Sequence, residues 1–288
     1  MPVLVHRHQN AVEFQQVVTP FLVEHEAENC LLLGLIETLA QGDSIHKGNN
    51  YFAALECDGV IAGAALMTPP SGPVISRLDD PDLIAALVDD LLPRRGDLPT
   101  IFGPVKSSHA FAVRWAKLTG QSMALALNER IFQIAAVIPP KPAPGRWRTT
   151  TRADLDLLAR LIHDFRLEAF EAEAERSGRD IEIVSTRLRG AASGYFIWEN
   201  GPVVCVAGYA NPTPHGVVIG PVYTPPEHRG RGYASALTAA LVQELLDHGR
   251  SFACLFTVLD NPIPNHVYRK IGFTPVVDVD QWKFTERS

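Results

Sequence analysis

The residues best suited to bind a charged group lie in a short stretch rich in glycine and arginine, RGRG (229–232). Glycine at such a place costs conformational entropy, which indicates that the backbone must lie where a side chain would obstruct it. A β-rich stretch (216–224) precedes it, and a segment with leucine at every fourth position follows, which predicts a helix. Because N–H groups at a helix N-terminus bind anions, the stretch predicts a phosphate or pyrophosphate site. The alternative is a solvated turn before a helix.

Other catalytic and phosphate-binding motifs fit the chain less well. A P-loop requires GxxxxGK[ST], which the sequence lacks. The dinucleotide fingerprint GxGxxG is present only in its first half, within GRGYAS (230–235), and it normally follows the first strand of a βαβ unit. The sequence also has no GxSxG, no HExxH and no CxxC, so it predicts neither a serine hydrolase nor a common zinc site.

The composition excludes several classes of partner. The 288 residues carry a net charge of −6, and the isoelectric point is near 5.9, which argues against a nucleic-acid or anionic-membrane surface. We see no apolar run long enough to span a bilayer and no signal peptide, so a cytoplasmic location is expected. The four cysteines are at least 27 residues apart, which predicts reduced and mostly buried thiols.

The two halves of the chain show the same order of predicted elements on either side of a proline-rich segment, VIPPKPAPGRW (137–147). Each half has a hairpin, a short strand, an amphipathic helix, a strand and a second helix that ends in glycine. This order predicts an internal duplication with a period of roughly 140 residues. We therefore expect two domains, 1–138 and 146–288, joined by a linker at 139–145.

The halves differ where the central helix begins. The first half has RLDDPDLIAAL (77–87), with acids where the second half has arginines, so we expect the anion site only in the second half. A final β-rich segment is expected to close each half, near 123–137 and near 273–284.

The arginine–glycine stretch resembles the pyrophosphate loop of the GNAT acyltransferases, Gln/Arg-x-x-Gly-x-Gly/Ala, in the form Arg229-x-x-Gly232-x-Ala234. A second resemblance lies in DNPIPNHVYRKIGF (260–273). In the same family an Asn follows the fifth strand, a Tyr comes seven residues later, and a Gly-Phe pair ends the helix, and this segment is similar to that pattern. Here these residues are Asn261, Tyr268, Gly272 and Phe273. The resemblance covers about residues 146 to 288, and it implies a tandem protein whose first half is a degenerate GNAT-like domain.

The resemblance implies the fold and the donor substrate. The expected fold is α/β, with two GNAT-like domains that each have a central, mostly antiparallel mixed sheet flanked by helices. Acetyl-CoA is the implied donor, with its pantetheine arm between two splayed central strands. The implied binding residues are the backbone of Val222 and Tyr223, the loop amides of Arg229, Gly230, Arg231, Gly232, Tyr233 and Ala234, and Asn261.

The same resemblance makes Tyr268 the candidate general acid, because a phenol near the sulfur can protonate the leaving thiolate. The alternative for Tyr268 is a half-buried core residue. The general base is left open between Glu168, Glu171 and Glu173, on the first helix of the second half, and ordered water. His163 on the same helix is equally ambiguous.

The acceptor is expected to be an amine of a small molecule or peptide, and the acidic helix hints at a cationic one. The prediction is therefore an N-acetyltransferase that needs no metal, nucleic acid or membrane and is a monomer or homodimer. The alternative from another class is a non-catalytic acyl-CoA-binding or sensing protein.

Overall fold

The computed structural model describes residues 3–42, 48–177, 179–190 and 192–286, without the side chains of 170–178 and 262–264. The chain forms two compact units. Unit 1 consists of Met1–Phe132, Phe256–Asn261 and Pro275–Ser288, and unit 2 of Gln133–Leu255 and Pro262–Thr274. Elements are numbered along the chain.

Unit 1 is a mixed sheet with helices on both faces. Its strands, with their full bounds, are β1 (Val3–Arg7), β2 (Tyr51–Cys57), β3 (Val60–Met67), β4 (Pro73–Ile75), β5 (Thr100–Pro104), β6 (Ser122–Ile134) and β12 (Thr274–Thr285). Its helices are α1 (Ala11–Leu22), α2 (Cys30–Ala40), α3 (Pro81–Leu91) and α4 (Val105–Thr119). The strand order is β1-β2-β3-β4-β5-β12-β6. Only the β4–β5 pair is parallel among the pairings that the described residues establish for this unit.

Alternation along β2 explains why both faces of this sheet are covered. Tyr51, Ala53 and Leu55 pack in the core under α3 and α4. Phe52 and Ala54 pack in a second core with α1 and α2. Successive side chains of a strand point to opposite faces, so an unbroken apolar strand requires a helix layer on each side.

Unit 2 repeats this plan. Its elements are β7 (Arg146–Thr149), α5 (Leu155–Ser177), α6 (Asp180–Arg189), β8 (Gly194–Glu199), β9 (Val203–Ala210), β10 (Gly216–Tyr223), α7 (Tyr233–Asp247), the first part of β11 (Phe252–Val258), and α8 (Pro262–Lys270). The strand order is β11-β10-β9-β8-β7, with β10 and β11 parallel and the other pairs antiparallel. α5 and α6 pack on one core of the unit, and α7 packs on β8 and β9.

The predicted duplication of element order is confirmed, since β2-β3-β4-α3-β5-α4-β6 recurs as β8-β9-β10-α7-β11-α8-β12. Both predicted hairpins form. Asp58 and Gly59 have φ of 54° and 81°, and Gly201 has φ of 78°. These positive φ angles are typical of tight hairpin turns. The mixed α/β class is also confirmed.

The last strand differs from the expectation that each half closes with its own final segment. Residues 279–283 of β12 pair antiparallel with 100–104 of β5, so the C-terminal strand belongs to the sheet of unit 1. Two polar pairs hold it beside β6: Arg130 with Asp278, at 2.6 Å, and Asn128 with Asp280, at 2.5 Å. Local sequence contains no information on which of two similar edges a strand joins, because an antiparallel partner is selected by tertiary packing. The domain boundaries at 138 and 146 stay a prediction.

The described cysteines form no disulfide bond, and Cys30, Cys205 and Cys254 are buried, as the spacing predicted. Cys57 is partly buried.

The start of α5 is held by a partly buried ion pair between Arg148 and Asp154. A short 3₁₀ turn, Arg152–Asp154, precedes the helix, and Thr151 and Asp154 form a capping box around it. Both guanidinium Nη atoms of Arg148 donate to the Asp154 carboxylate, at 2.8 and 2.9 Å. These bonds hold the pKa of Asp154 at about 2, below its ordinary value.

Replacing Asp154 by Asn should therefore lower the free energy of unfolding by roughly 1 kcal/mol at pH 7, since the Arg148 side chain is 37% exposed and water screens the pair. A carboxyl whose pKa is depressed by folding stabilises the protein above its unfolded pKa, and this stabilisation is lost as the pH falls toward 2. Urea denaturation at pH 7 and pH 3 should thus show a smaller difference from wild type at the lower pH. Asp156→Asn, at an exposed position in the same first turn, is the matched control and should change stability by less than about 0.5 kcal/mol. A constant difference at both pH values would contradict the ion-pair explanation.

Candidate functional site

The arginine–glycine loop joins β10 to α7 in unit 2. A 3₁₀ turn, Pro226–His228, is followed by an extended Arg229. Gly230 and Gly232 have φ of 75° and 81°, which side-chain-bearing residues rarely adopt. A Cβ atom at either glycine would meet nothing within 4 Å, so the loop surface there is open. The two glycines are therefore required by backbone conformation, and they leave the backbone uncovered.

The backbone N–H groups of residues 230–235 donate to no acceptor in the part of the chain that the structure describes. The first helical bond of α7 comes from Ala236 to the carbonyl of Gly232, at 3.0 Å. Gly232 is the N-cap and has no side chain to satisfy the first turn. Helix starts are normally capped by Ser, Thr, Asp or Asn. A run of free N–H donors at the positive end of a helix is a site for an anion with several oxygens.

The corresponding helix start in unit 1 is filled by its own side chains. The Asp80 carboxylate accepts the N–H of Asp82 at the start of α3, at 2.9 Å. The Ser107 hydroxyl accepts the N–H of Leu78 in the preceding loop, at 2.9 Å. A negative group at this helix start also repels a phosphate. The acids at this place in the first half thus give a capped helix start, whereas the glycines and arginines of the second half give a helix start with free N–H groups.

The two arginines of the loop have different roles. The Arg229 guanidinium donates to the Thr224 carbonyl at 2.9 Å and to the Glu168 carboxylate at 2.5 Å, and it lies over the Tyr223 ring. It therefore ties the loop to the end of β10 and to α5. Arg231 is exposed and pairs with no carboxylate among the described residues. Its charge is available to a bound anion.

The end of β10 has one free backbone edge. Parallel pairing with β11 ends at Val218 and Cys254, whereas pairing with β9 continues to Tyr223. A bulge interrupts the β9 pairing between Ile219 and Val222. Within the described chain, β10 thus has no strand partner beyond Val218 on the side of β11. Val222 and Tyr223 lie on this segment, where the backbone can bind an extended ligand.

Tyr268 lies near the exit of β10. Burial raises the pKa of Tyr268, and the nearby Cys205 thiol raises it further. The Thr224 hydroxyl, just beyond β10, donates to the Cys205 sulfur at 3.2 Å. The Tyr268 ring packs edge-on against Phe273. A phenol held protonated at neutral pH can act as a general acid.

Cys205 and Thr224 were not identified from the sequence, because a buried cysteine on a strand has no motif. Burial raises the pKa of the Cys205 thiol to about 12, so it stays protonated and is not a nucleophile at neutral pH.

The remaining predicted residues are placed as follows. Glu168 lies on α5 and is paired with Arg229, and both side chains are about half exposed. Glu171 and Glu173 fall within α5, but their side chains lie outside the described residues. Asn261 follows β11, and its N–H donates to the Val258 carbonyl at 3.1 Å. It belongs to the segment of the chain that packs with unit 1, and its role toward a cofactor stays a prediction.

The side chains of two further residues are engaged within the protein. Tyr233 is buried, and its hydroxyl accepts a hydrogen bond from the Asn200 amide at 2.8 Å, so only its backbone N–H can serve a ligand. His163 Nδ1 lies 2.8 Å from Asp180, which also pairs with Arg166. These contacts join α5 to α6.

Arg187 on α6 is a functional candidate that the sequence analysis missed. Its Nη1 donates to the carbonyl of Gly220, inside the β10 bulge, at 2.6 Å. The guanidinium lies over the Tyr195 ring of β8, 5.1 Å from its centre. No sequence motif surrounds Arg187, and only the packing of α6 on the sheet brings it to the bulge.

A search of the described residues finds no group of three or more side chains suited to hold a metal ion. None of the helices in the described ranges is long and apolar enough to cross a membrane.

Comparison with known proteins agrees with this geometry. The model of the acetyltransferase (GNAT) family matches residues 157–273. The comparison with curated proteins found no match. Among solved structures, a tandem GNAT protein from the clavulanic acid biosynthesis pathway is 14% identical over 99% of both chains, with a TM-score of 0.59.

Two other solved structures are similar over nearly the whole chain. A GCN5-related N-acetyltransferase from Sphaerobacter thermophilus is 17% identical, covering 98% of this chain and 96% of its own, with a TM-score of 0.57. A Drosophila protein is 13% identical over 99% of both chains, with a TM-score of 0.68. At these identities the likeness shows the fold.

The matched residues include the uncapped start of α7, the free edge of β10 and Tyr268. Residues 157–273 therefore belong to the GNAT acetyltransferase family, whose members are in general acyl-CoA-dependent acyltransferases.

Proposed function

We propose that unit 2 transfers an acetyl group from acetyl-CoA directly to an amine of a small molecule or peptide. The observation that carries the proposal is the run of six unpaired backbone N–H groups, residues 230–235, at the start of α7. Among the described residues no side chain caps this helix, and an anion with several oxygens can accept several of these hydrogen bonds at once. The pyrophosphate of CoA has the matching charge and several oxygens.

In this proposal unit 2 holds the donor at two places along its length. The amides of residues 230–234 bind the pyrophosphate, and Arg231 adds a charge-assisted contact. The Arg229 amide, which the resemblance also implied, is not available, because it donates to the Pro226 carbonyl at 3.3 Å. The backbone of Val222 and Tyr223 binds the pantetheine arm along the free edge of β10.

The chemistry proceeds by attack of the neutral amine on the thioester carbon. The carbonyl carbon becomes tetrahedral, and backbone N–H groups at the end of β10 stabilise the charge on its oxygen. Collapse re-forms the carbonyl and breaks the C–S bond, and the Tyr268 hydroxyl donates a proton to the leaving sulfur. The amine proton passes to Glu168, to Glu171 or to water, and Glu168 is available only after its pair with Arg229 opens.

A non-catalytic acyl-CoA-binding protein is the competing function. The position of Tyr268 beside Cys205, close to the end of β10, favours an enzyme, because binding alone requires no protonated phenol there. Release of free CoA from acetyl-CoA, measured with a thiol reagent over a panel of amines, distinguishes the two. Tight CoA binding without turnover of any amine would support the binding protein.

CoA should bind at one site per chain, in unit 2. The start of α3 in unit 1 is capped by Asp80, whereas that of α7 is open. Calorimetry should give a stoichiometry of about one. Asp80→Ala should leave CoA binding unchanged, whereas Gly232→Val should weaken it. Two equivalent sites would contradict this assignment.

Gly232→Val should weaken CoA binding by about tenfold or more, because a β-branched side chain obstructs the approach of the phosphates and opposes the positive φ. Binding of pantetheine, which lacks the phosphates, should change much less. Gly201→Val is the control: its φ of 78° imposes the same backbone strain in a hairpin turn away from the loop. Equal losses for CoA and pantetheine would show that the loop does not contact the phosphates.

Tyr268→Phe should reduce kcat by about 10²- to 10⁴-fold, since it removes the proton donor and keeps the ring. CoA affinity and Tm should stay close to wild type. Tyr209→Phe, on β9, is the matched control and should retain activity. If Tyr268 is only a core residue, activity will instead remain within a few-fold of wild type and stability will change.

A further inference from the structure

Arg187 is a cation without an acidic partner. Among the described residues no carboxylate lies within ion-pairing distance of its guanidinium. Other arginines on this side of unit 2 are paired, Arg166 with Asp180 and Arg229 with Glu168. A partly buried charge that lacks a counterion is costly, and such charges occur mainly where a ligand supplies the opposite charge.

The structure around Arg187 is built to hold the guanidinium in one place. It lies directly over Gly208 of β9, where an added Cβ atom would come within 2.7 Å of Nη1 and 2.9 Å of the Gly220 oxygen. One Nη1 hydrogen is used by Gly220, and the ring of Tyr195 supports the guanidinium plane. Glycine at 208 is thus needed because any side chain would displace the arginine.

A second observation points to a polar ligand. Tyr195 is 2% exposed, and among the described residues its hydroxyl makes no hydrogen bond of standard geometry. The hydroxyl lies beside the Arg187 guanidinium, whose charge and close polar contact oppose the rise in the pKa of Tyr195 that burial causes. A buried hydroxyl in this position can be satisfied by a water molecule or by a polar group bound to Arg187.

The position of Arg187 relates it to the reaction. Gly220 and Val222 are two residues apart on β10, and a strand advances about 3.3 Å per residue. The Arg187 guanidinium, bound to the Gly220 carbonyl, is therefore only a few ångströms from the segment of β10 where the thioester is proposed to lie. A group bound by Arg187 can belong to the same small molecule as the attacking amine.

We propose that Arg187 binds a carboxylate of the acceptor, so that the acceptor is an amino acid or a similar amine with a carboxylate a few bonds from the nitrogen. Of the five N–H donors of Arg187, one is used by Gly220 and one faces the Tyr195 hydroxyl, which among the described residues leaves enough for a bidentate contact with a carboxylate. Tyr195 positions the guanidinium. This inference rests on the proposed acetyl transfer, and it replaces the expectation of a purely cationic acceptor that the acidic helix suggested.

The test compares amino acids with their own C-terminal amides as acceptors, by release of free CoA from acetyl-CoA. Wild type should prefer the acid. Arg187→Gln should raise KM for the acids by about 10- to 100-fold, with little change in kcat or in the constants for the amides. The amine of an amino acid and the amine of its amide differ in basicity. Because each acid–amide pair is measured with both wild type and variant, this difference cancels from the comparison. Arg187→Lys should recover part of the preference.

Arg189→Gln is the matched control, since Arg189 is exposed on the same helix and its side chain donates to the Thr186 hydroxyl rather than to β10, as far as the described residues show. It should leave the preference unchanged. Equal losses for acids and amides in Arg187→Gln would overturn the proposal, because they would show that Arg187 only supports the bulge. A wild-type enzyme that acetylates amides as well as acids would also overturn it, while acetyl transfer itself would stand.

A measurement without turnover separates the two proposals. With CoA present, amino acids should raise the Tm of wild type more than their amides do, and Arg187→Gln should abolish the difference. No difference in wild type would overturn the carboxylate site. Failure of CoA to bind at all would instead overturn the proposed function.

Discussion

The site depends on one helix that starts without a cap. In most proteins a polar side chain satisfies the first N–H groups of a helix, and its loss costs about 1 kcal/mol. Unit 2 leaves these groups open at α7, with glycine at the N-cap and a positive φ that only glycine adopts easily. In the proposed function, the donors, the helix dipole and Arg231 all act on the pyrophosphate of CoA. Stability is given up at a place where a ligand can restore it.

The rest of unit 2 keeps that loop in place. Arg229 contacts the end of β10, the Tyr223 ring and Glu168 through its side chain, and its N–H donates to the Pro226 carbonyl, so this residue braces the loop. Tyr233 packs its side chain into the protein through Asn200. A preorganised set of donors avoids the entropy of ordering a flexible loop at binding. The bulge in β10 separates the free strand edge, where the pantetheine arm is proposed to bind, from the Gly220 carbonyl that Arg187 contacts.

The two halves keep the same order of elements but differ at the start of the central helix. Unit 1 has the same order of strands and helices, but Asp80 caps α3 and Ser107 bonds to the loop before it. Both changes stabilise unit 1, because they satisfy backbone groups that a ligand would otherwise bind. The sheet of unit 1 also takes in β12, so this half supports the C-terminal strand of the chain.

Local patterns in the sequence by themselves determined the hairpins, the central helices, the duplication and the arginine–glycine loop, because each depends on residues close in the chain. They also distinguished the two halves, since an aspartate or a glycine at a helix start acts within one turn. Tertiary structure alone decided that β12 joins the sheet of unit 1 and that Cys205 and Thr224 lie near Tyr268. It also brought Arg187, 33 residues away in sequence, to the carbonyl of Gly220. These contacts join distant segments, and their energies come from packing and burial that no local pattern encodes.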